Sequence, residues 1–265
     1  MTEDTFVSKD IKPWRKWGAD EIGIEMGYAP RRRVVGPIGQ KTQHDQGDGN
    51  REMVTVMNTI CADGTYLKPF VIYKGKNILS RWGAQNNPLD ATIAVSENGW
   101  IDNELGVDYI RDFDEQTRDD TGEVRWLAID GHGSHVTNEF IDYAENHDIE
   151  LGCYIPHSTH VYQGLDVGVH GPLKTYWGQE RNKLEEDGKV VTKDNFVEVC
   201  SKAHMKAFTR ENILAAFRKT GLEPFNPAVV TEDMLAPSQE TSIQFGTALP
   251  TVQSGPVDTV LQVLH

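Results

Sequence analysis

Apolar positions along this chain come first in short runs of strand length and later at helical spacing. The segment 18–27, Gly-Ala-Asp-Glu-Ile-Gly-Ile-Glu-Met-Gly, reads as the end of a short strand entering a hairpin or loop. Residues 1–17 before it are polar and poorly periodic, and suit a lead-in or a frayed helix. Residues 29–52 have the Gly, Pro, Gln and Asp content of a long connection. Two β-rich runs at 53–60 and 67–73 are joined across Asp63-Gly64, a strong hairpin signal. A short strand and loop over 93–100 ends in Asn98-Gly99. Leu105, Val107, Tyr109, Ile110 and Phe113 then supply the buried side of a helix over 103–116, which a polar turn at 118–123 follows.

The rest of the chain is organised around 124–135, Val-Arg-Trp-Leu-Ala-Ile-Asp-Gly-His-Gly-Ser-His. A mostly apolar run without polar alternation predicts a strand covered on both faces. It stops on Asp130, where Gly131 and Gly133 loosen the turn. Thr137 can cap a helix to about His147, and 149–155 is another apolar strand. A strand–helix–strand order of this length implies a parallel crossover, so the segment after 155 emerges beside Asp130. That segment carries Asp166. A helix over 171–187 starts at Gly171-Pro172 and ends at Gly188, with Leu173, Tyr176, Trp177 and Leu184 facing the core and Glu180 as the polar exception. Residues 194–219 read as helical with a second start at Thr209, stopped by Gly221 and Pro224. Poor in apolar anchors, 236–265 reads as a disordered tail. The organisation predicted is a lead-in at 1–17, one domain at 18–235 and the tail at 236–265.

Composition narrows the class. With 265 residues, 38% hydrophobic and 25% charged, the chain can bury a sizeable core. No run approaches the roughly 18 apolar residues of a membrane span. Met-Thr-Glu-Asp-Thr at the start lacks the basic and apolar regions of a signal peptide. Cys61, Cys153 and Cys200, odd in number and widely spaced, fit reduced thiols in a cytosolic or nuclear compartment. A net charge of −14 argues against a general nucleic-acid coat, but leaves room for an enzyme that holds metal with carboxylates.

The candidate chemistry lies in Asp20, Asp130 and Asp166, which come from separate elements. Clustered carboxylates repel and have a functional meaning only when a cation neutralises them. Oxygen ligands with open positions suit Mg²⁺ or Mn²⁺, and two such ions about 3.5–4 Å apart clamp the oxygens of a phosphodiester. Other readings stand beside this one. Asp130 could be a helix cap, and Asp20 a solvated turn acid. The pairs His132/His135 and His157/His160 allow a zinc hydrolase, although they sit in loops. Ser134 lacks the Gly-x-Ser-x-Gly frame of a serine hydrolase. Arg31, Arg32, Arg33 and Lys41 form a basic stretch that is either a solvated face or a guide for a phosphate backbone.

These residues also resemble a family. Ile-Asp-Gly-His-Gly-Ser-His at 129–135, Pro-His-Ser-Thr-His at 156–160, Gln-Gly-Leu-Asp-Val-Gly at 163–168 and Gly-Pro-Leu-Lys at 171–174 resemble the DDE superfamily endonuclease domain of pogo-like transposases, the group of Tigger, Jerky and centromere protein B. The segment 217–227 looks like the one that closes such domains, and 49–52 and 96–100 are similar to fungal members. The resemblance implies an α/β, RNase H-like mixed sheet flanked by helices, with a helical segment towards the carboxyl end. It also implies Mg²⁺-dependent hydrolysis and transfer of DNA strands by three acids. By motif these are Asp20, Asp130 and Asp166. It departs from the family where Ile22 and Ile24 replace Thr and an aromatic, where Gly164 replaces a proline, and where His170 replaces an aromatic. From these follow several expectations: two Mg²⁺ or Mn²⁺ ions, DNA as partner, no membrane, a nuclear location and a homodimer. Lys74, Lys76, Lys174, Arg31, Arg32, Arg33, His135 and His160 become candidate DNA contacts. About 17 residues precede the first acid motif, so no amino-terminal helix-turn-helix domain is expected. A truncated or domesticated copy follows, with an inactive nucleic-acid-binding derivative as the alternative.

Overall fold

Along β1 (Lys16–Glu25) the side chains alternate between two cores, Ile22 and Ile24 on one side and Trp17 and Ala19 on the other. β2 (Met53–Cys61), β3 (Phe70–Lys74) and β5 (Arg125–Ile129) alternate in the same way. The strand period of two therefore fills both faces of one sheet. The computed structural model describes residues 11–27, 50–82, 86–130, 137–154, 159–229 and 231, with the backbone alone at 159 and 160. With β4 (Thr92–Ser96) and β6 (Ile149–Cys153) the strand order is β4-β3-β2-β1-β5-β6. β1 pairs antiparallel with β2 and parallel with β5, and β5 pairs parallel with β6. One face is covered by α1 (Asn103–Thr117) and α2 (Asn138–Asn146), through Leu105, Ile110, Phe113 and Phe140. On the other, Leu165, Leu173, Phe196 and Ile213 pack from α4 (Gly164–Gly168), α5 (His170–Glu186), α6 (Phe196–Ala207) and α7 (Arg210–Lys219). A short α3 (Thr159–Tyr162) precedes α4. This is the RNase H-like arrangement that the resemblance implies.

The local signals explain the element ends. Gly64 adopts φ +94° in the β2–β3 turn and Gly99 φ +83° after β4, the left-handed region that glycine tolerates. Thr137 and Thr209 accept hydrogen bonds from the backbone N–H groups of Phe140 and Asn212, capping α2 and α7. At the far end of β5, buried Arg125 donates to Asp114 Oδ1 at 2.7 Å and also to the carbonyl of His147, which ties α1, β5 and the carboxyl end of α2 together.

Three readings of the sequence change. Asp20 lies in the middle of a ten-residue strand, not at a strand end, because β2 pairs with that strand from Trp17 to Glu25. Structure also begins before Gly18: Pro13–Arg15 forms a 3₁₀ turn, and Arg15, Lys16 and Trp17 are buried. Glu180 is buried rather than a polar exception, and its Oε1 is paired with Lys183 at 2.8 Å and Lys206 at 2.5 Å. The tail at 236–265 lies outside the described residues.

Candidate active site

Asp20 projects from the central strand on the face covered by α4 to α7, since it shares the parity of Ile22 and Ile24. The β1–β5 register sets Gly18 beside Ala128, and continuing it by two residues brings Asp130 alongside Asp20. Asp166 comes from above, in the first turn of α4. That helix lies close against α7, where a Cβ on Gly168 would meet the Ala216 Cβ at 2.7 Å and its Cα at 3.0 Å. Gly164, where the family has a proline, opens an ordered helical turn. Gln163, itself buried, donates to the carbonyl of Ala19 at 3.5 Å and so links the α3–α4 junction to the strand residue next to Asp20.

The site is electrostatically loaded. The Asp20 carboxyl is pushed up to about 8, first by burial and then by the charges of Asp166 and Asp130. The same field reaches Tyr154 and Cys153, whose acidities are reduced mainly by burial, with further contributions from Asp20 and Asp130 respectively. Asp166 is 45% exposed, whereas Asp20 is 10% exposed. One acid is thus fixed in the sheet and the other opens towards solvent.

Reading the motifs did not pick out His170, at the start of α5. Its Nδ1 lies 3.3 Å from Asp166 Oδ1 and 3.5 Å from Asp20 Oδ2. One donor atom each from Asp20, Asp166 and His170 falls within 4.8 Å of the others, a set able to hold a metal ion. Asp130 is not one of those three, though it is near enough to act on Asp20. The only signal in the sequence was that His170 stands where the family commonly has an aromatic.

The remaining candidates divide. Lys74, Lys76 and Lys174 are exposed, Lys174 one turn beyond His170 and Lys76 facing Glu97 at 3.4 Å. A cavity of about 460 Å³ at the ends of β2 and β3 is lined by Arg51, Lys74 and Trp100, and holds none of the acids. Arg31, Arg32, Arg33, Lys41, His132, Ser134, His135 and His157 lie outside the described residues, as does the side chain of His160.

Comparison with known proteins identifies the family. The family model described as DDE superfamily endonuclease matches residues 50–217. A curated relative, the "MFS-type transporter clz9" of Cochliobolus lunatus, is 37% identical over 214 residues, which make up 80% of this chain and 23% of that protein. No described helix is long and apolar enough to cross a membrane. Among solved structures, the Mos1 strand transfer complex is similar at a TM-score of 0.50 and 12% identity, over 85% of this chain and 56% of that one. The Mos1 mariner paired-end complex with Mn gives a TM-score of 0.48 at 12% identity, over 85% and 57%. The chain thus spans a little over half of those transposase chains and about a quarter of the curated relative. With the family model covering most of its length, the chain belongs to the DDE superfamily endonucleases, the family its pogo-like motifs resemble.

Proposed function

We propose that this chain is the catalytic domain of a pogo-type transposase, cleaving DNA strands with two divalent cations, Mg²⁺ or Mn²⁺, held by Asp20, Asp130 and Asp166. The observation that carries this reading is the state of Asp20: buried, flanked by two other acids and raised to about 8. Folding such a group without a functional return costs stability, and a cation in the site removes that cost. The donor set fits, because oxygen ligands from separate rigid elements leave positions open for phosphate oxygens. A bound cation supplies positive charge against the attacking and leaving oxygens of a phosphodiester. The sheet holds Asp20 still and α4 presents Asp166 at the solvent edge. Gln163 keeps the α3–α4 junction in register with β1. Lys74, Lys76 and Lys174, with Arg31, Arg32, Arg33, His135 and His160, are the contacts we assign to the DNA backbone. The same proposal places the protein in the nucleus, as a homodimer. The transporter name of the curated relative is not carried over, since the matched quarter of that protein corresponds to a DDE-type fold here.

One observation favours a second reading. Asp130 stands outside the 4.8 Å cluster, which suits an inactive nucleic-acid-binding derivative of the fold. Nicking of supercoiled plasmid by the purified chain, beside Asp130→Ala, separates the two. The catalytic reading expects nicking that needs Mg²⁺ or Mn²⁺, stops with chelator and falls to background in the variant. An inert wild-type chain that still binds DNA would establish the second reading instead.

A further inference from the structure

Two buried histidines, His170 beside the acids and His204 within electrostatic reach of it, each hold a ring nitrogen without a partner. His170 turns its Nδ1 towards Asp20 and Asp166, while its Nε2 is buried with no hydrogen-bond partner. His204, on α6, is 1% exposed, is stacked on Phe208 with ring centroids 3.6 Å apart, and its Nδ1 is likewise buried without a partner. Burial first, and then the charge of His170, lower the basicity of His204 to about 3. A neutral imidazole keeps a lone pair to accept with. An imidazole that ligates a metal through one nitrogen must carry its proton on the other, and that N–H is almost always given to a second group. His170 Nε2 and His204 Nδ1 are both buried without a partner; once Nδ1 of His170 ligates a cation, its Nε2 carries the proton, and a lone pair on His204 is what could then receive it. Unpaired buried polar atoms are costly, so two in one place call for an explanation.

We propose that His170 is a metal ligand through Nδ1, with His204 as the acceptor that fixes its tautomer, so that the site prefers Mn²⁺ to Mg²⁺. The proposal rests on the metal-dependent reading above and deepens it. Where the family commonly has an aromatic, this chain adds a nitrogen donor to two carboxylates. Mg²⁺ favours oxygen donors, whereas first-row transition ions accept imidazole readily. His170 belongs to the helix that directly follows the Asp166 turn, so the two donors move as one unit.

The test is pulsed electron paramagnetic resonance of Mn²⁺ added to the full chain, with calorimetric titration of Mn²⁺ and Mg²⁺. The wild type is expected to show ¹⁴N coupling to the bound ion. His170→Phe, which restores the common aromatic, and His170→Asn, which keeps a polar group, should both lose it. Both should also bind Mn²⁺ at least about tenfold more weakly, while Mg²⁺ binding changes much less. His204→Phe keeps the stacked ring and should keep the coupling, with Mn²⁺ affinity down by about tenfold or more, the range seen when an outer-shell partner is removed. Mn²⁺ bound without ¹⁴N coupling, or coupling that survives both His170 variants, overturns the proposal and leaves the carboxylate site standing. Failure of the wild type to bind Mn²⁺ at all overturns both this inference and the catalytic reading beneath it.

Discussion

Asp20 sits in an environment that opposes its charge and suits the holding of a cation. Its ordinary carboxyl value of 3.8 is raised to about 8 by burial, Asp166 and Asp130. The sign of its effect on stability follows by linkage. Between these two values the folded chain holds a proton that the unfolded chain has released. The contribution is therefore fully present below about 3.8 and is lost as pH rises through about 8. In chelator, Asp20→Asn should leave stability nearly unchanged at acid pH and exceed the wild type at pH 9, as read by urea midpoints. Added Mn²⁺ should stabilise the wild type and not the variant. An Asn variant less stable than wild type in chelator at pH 9 would mean that the carboxylate is satisfied by protein groups. His170 belongs to the same scale. Its role was hidden in the sequence because a buried histidine at helical spacing looks like any other core residue, and only the folded chain sets it against two carboxylates.

At the scale of elements, the critical contact is that of α4 with α7. Gly168 allows it, and a side chain there would collide with the backbone of Ala216 at 3.0 Å. Gly168→Val should therefore push α4 away, at a cost of about 1–3 kcal/mol typical of overpacking. Because Asp166 rides on that helix, Mn²⁺ affinity should fall by more than the equal-sized Gly171→Val, which points into open space. Equal cation binding by the two variants would show that α4 does not position the acid. Most elements could be read from the sequence. The β2–β3 hairpin, β5, β6 and the helices at 103–117, 138–146 and 170–186 carry strong local signals such as Asp63-Gly64, Thr137 and Gly188. β1 was less legible, since Gly18, Asp20, Glu21 and Gly23 break its apolar pattern. Its strand character comes from pairing with β2 and β5, which are distant in sequence. Three acids could be named from the sequence because each sits in a recognisable motif, and the structure sets Asp166 and Asp130 near enough to act on Asp20. The order of α4 was not legible, because Gly164 in place of proline reads as slack until Ala216 is seen behind it.

Over the whole molecule, a charge of −14 is compatible with the proposed role on DNA only if the cations are local and the acids are neutralised where the backbone approaches. The fold supplies the second condition by bringing Asp20, Asp130 and Asp166 from the centre of the sheet, the end of β5 and α4 towards one edge. That convergence on a cation is the central claim. The most direct measurement is anomalous diffraction from crystals of the chain soaked in Mn²⁺. The account predicts a peak within coordination distance, roughly 2.0–2.2 Å, of Asp20 and Asp166 oxygens, with Asp130 at that ion or a second one. A fully occupied Mn²⁺ elsewhere, with these carboxylates bare, would contradict it.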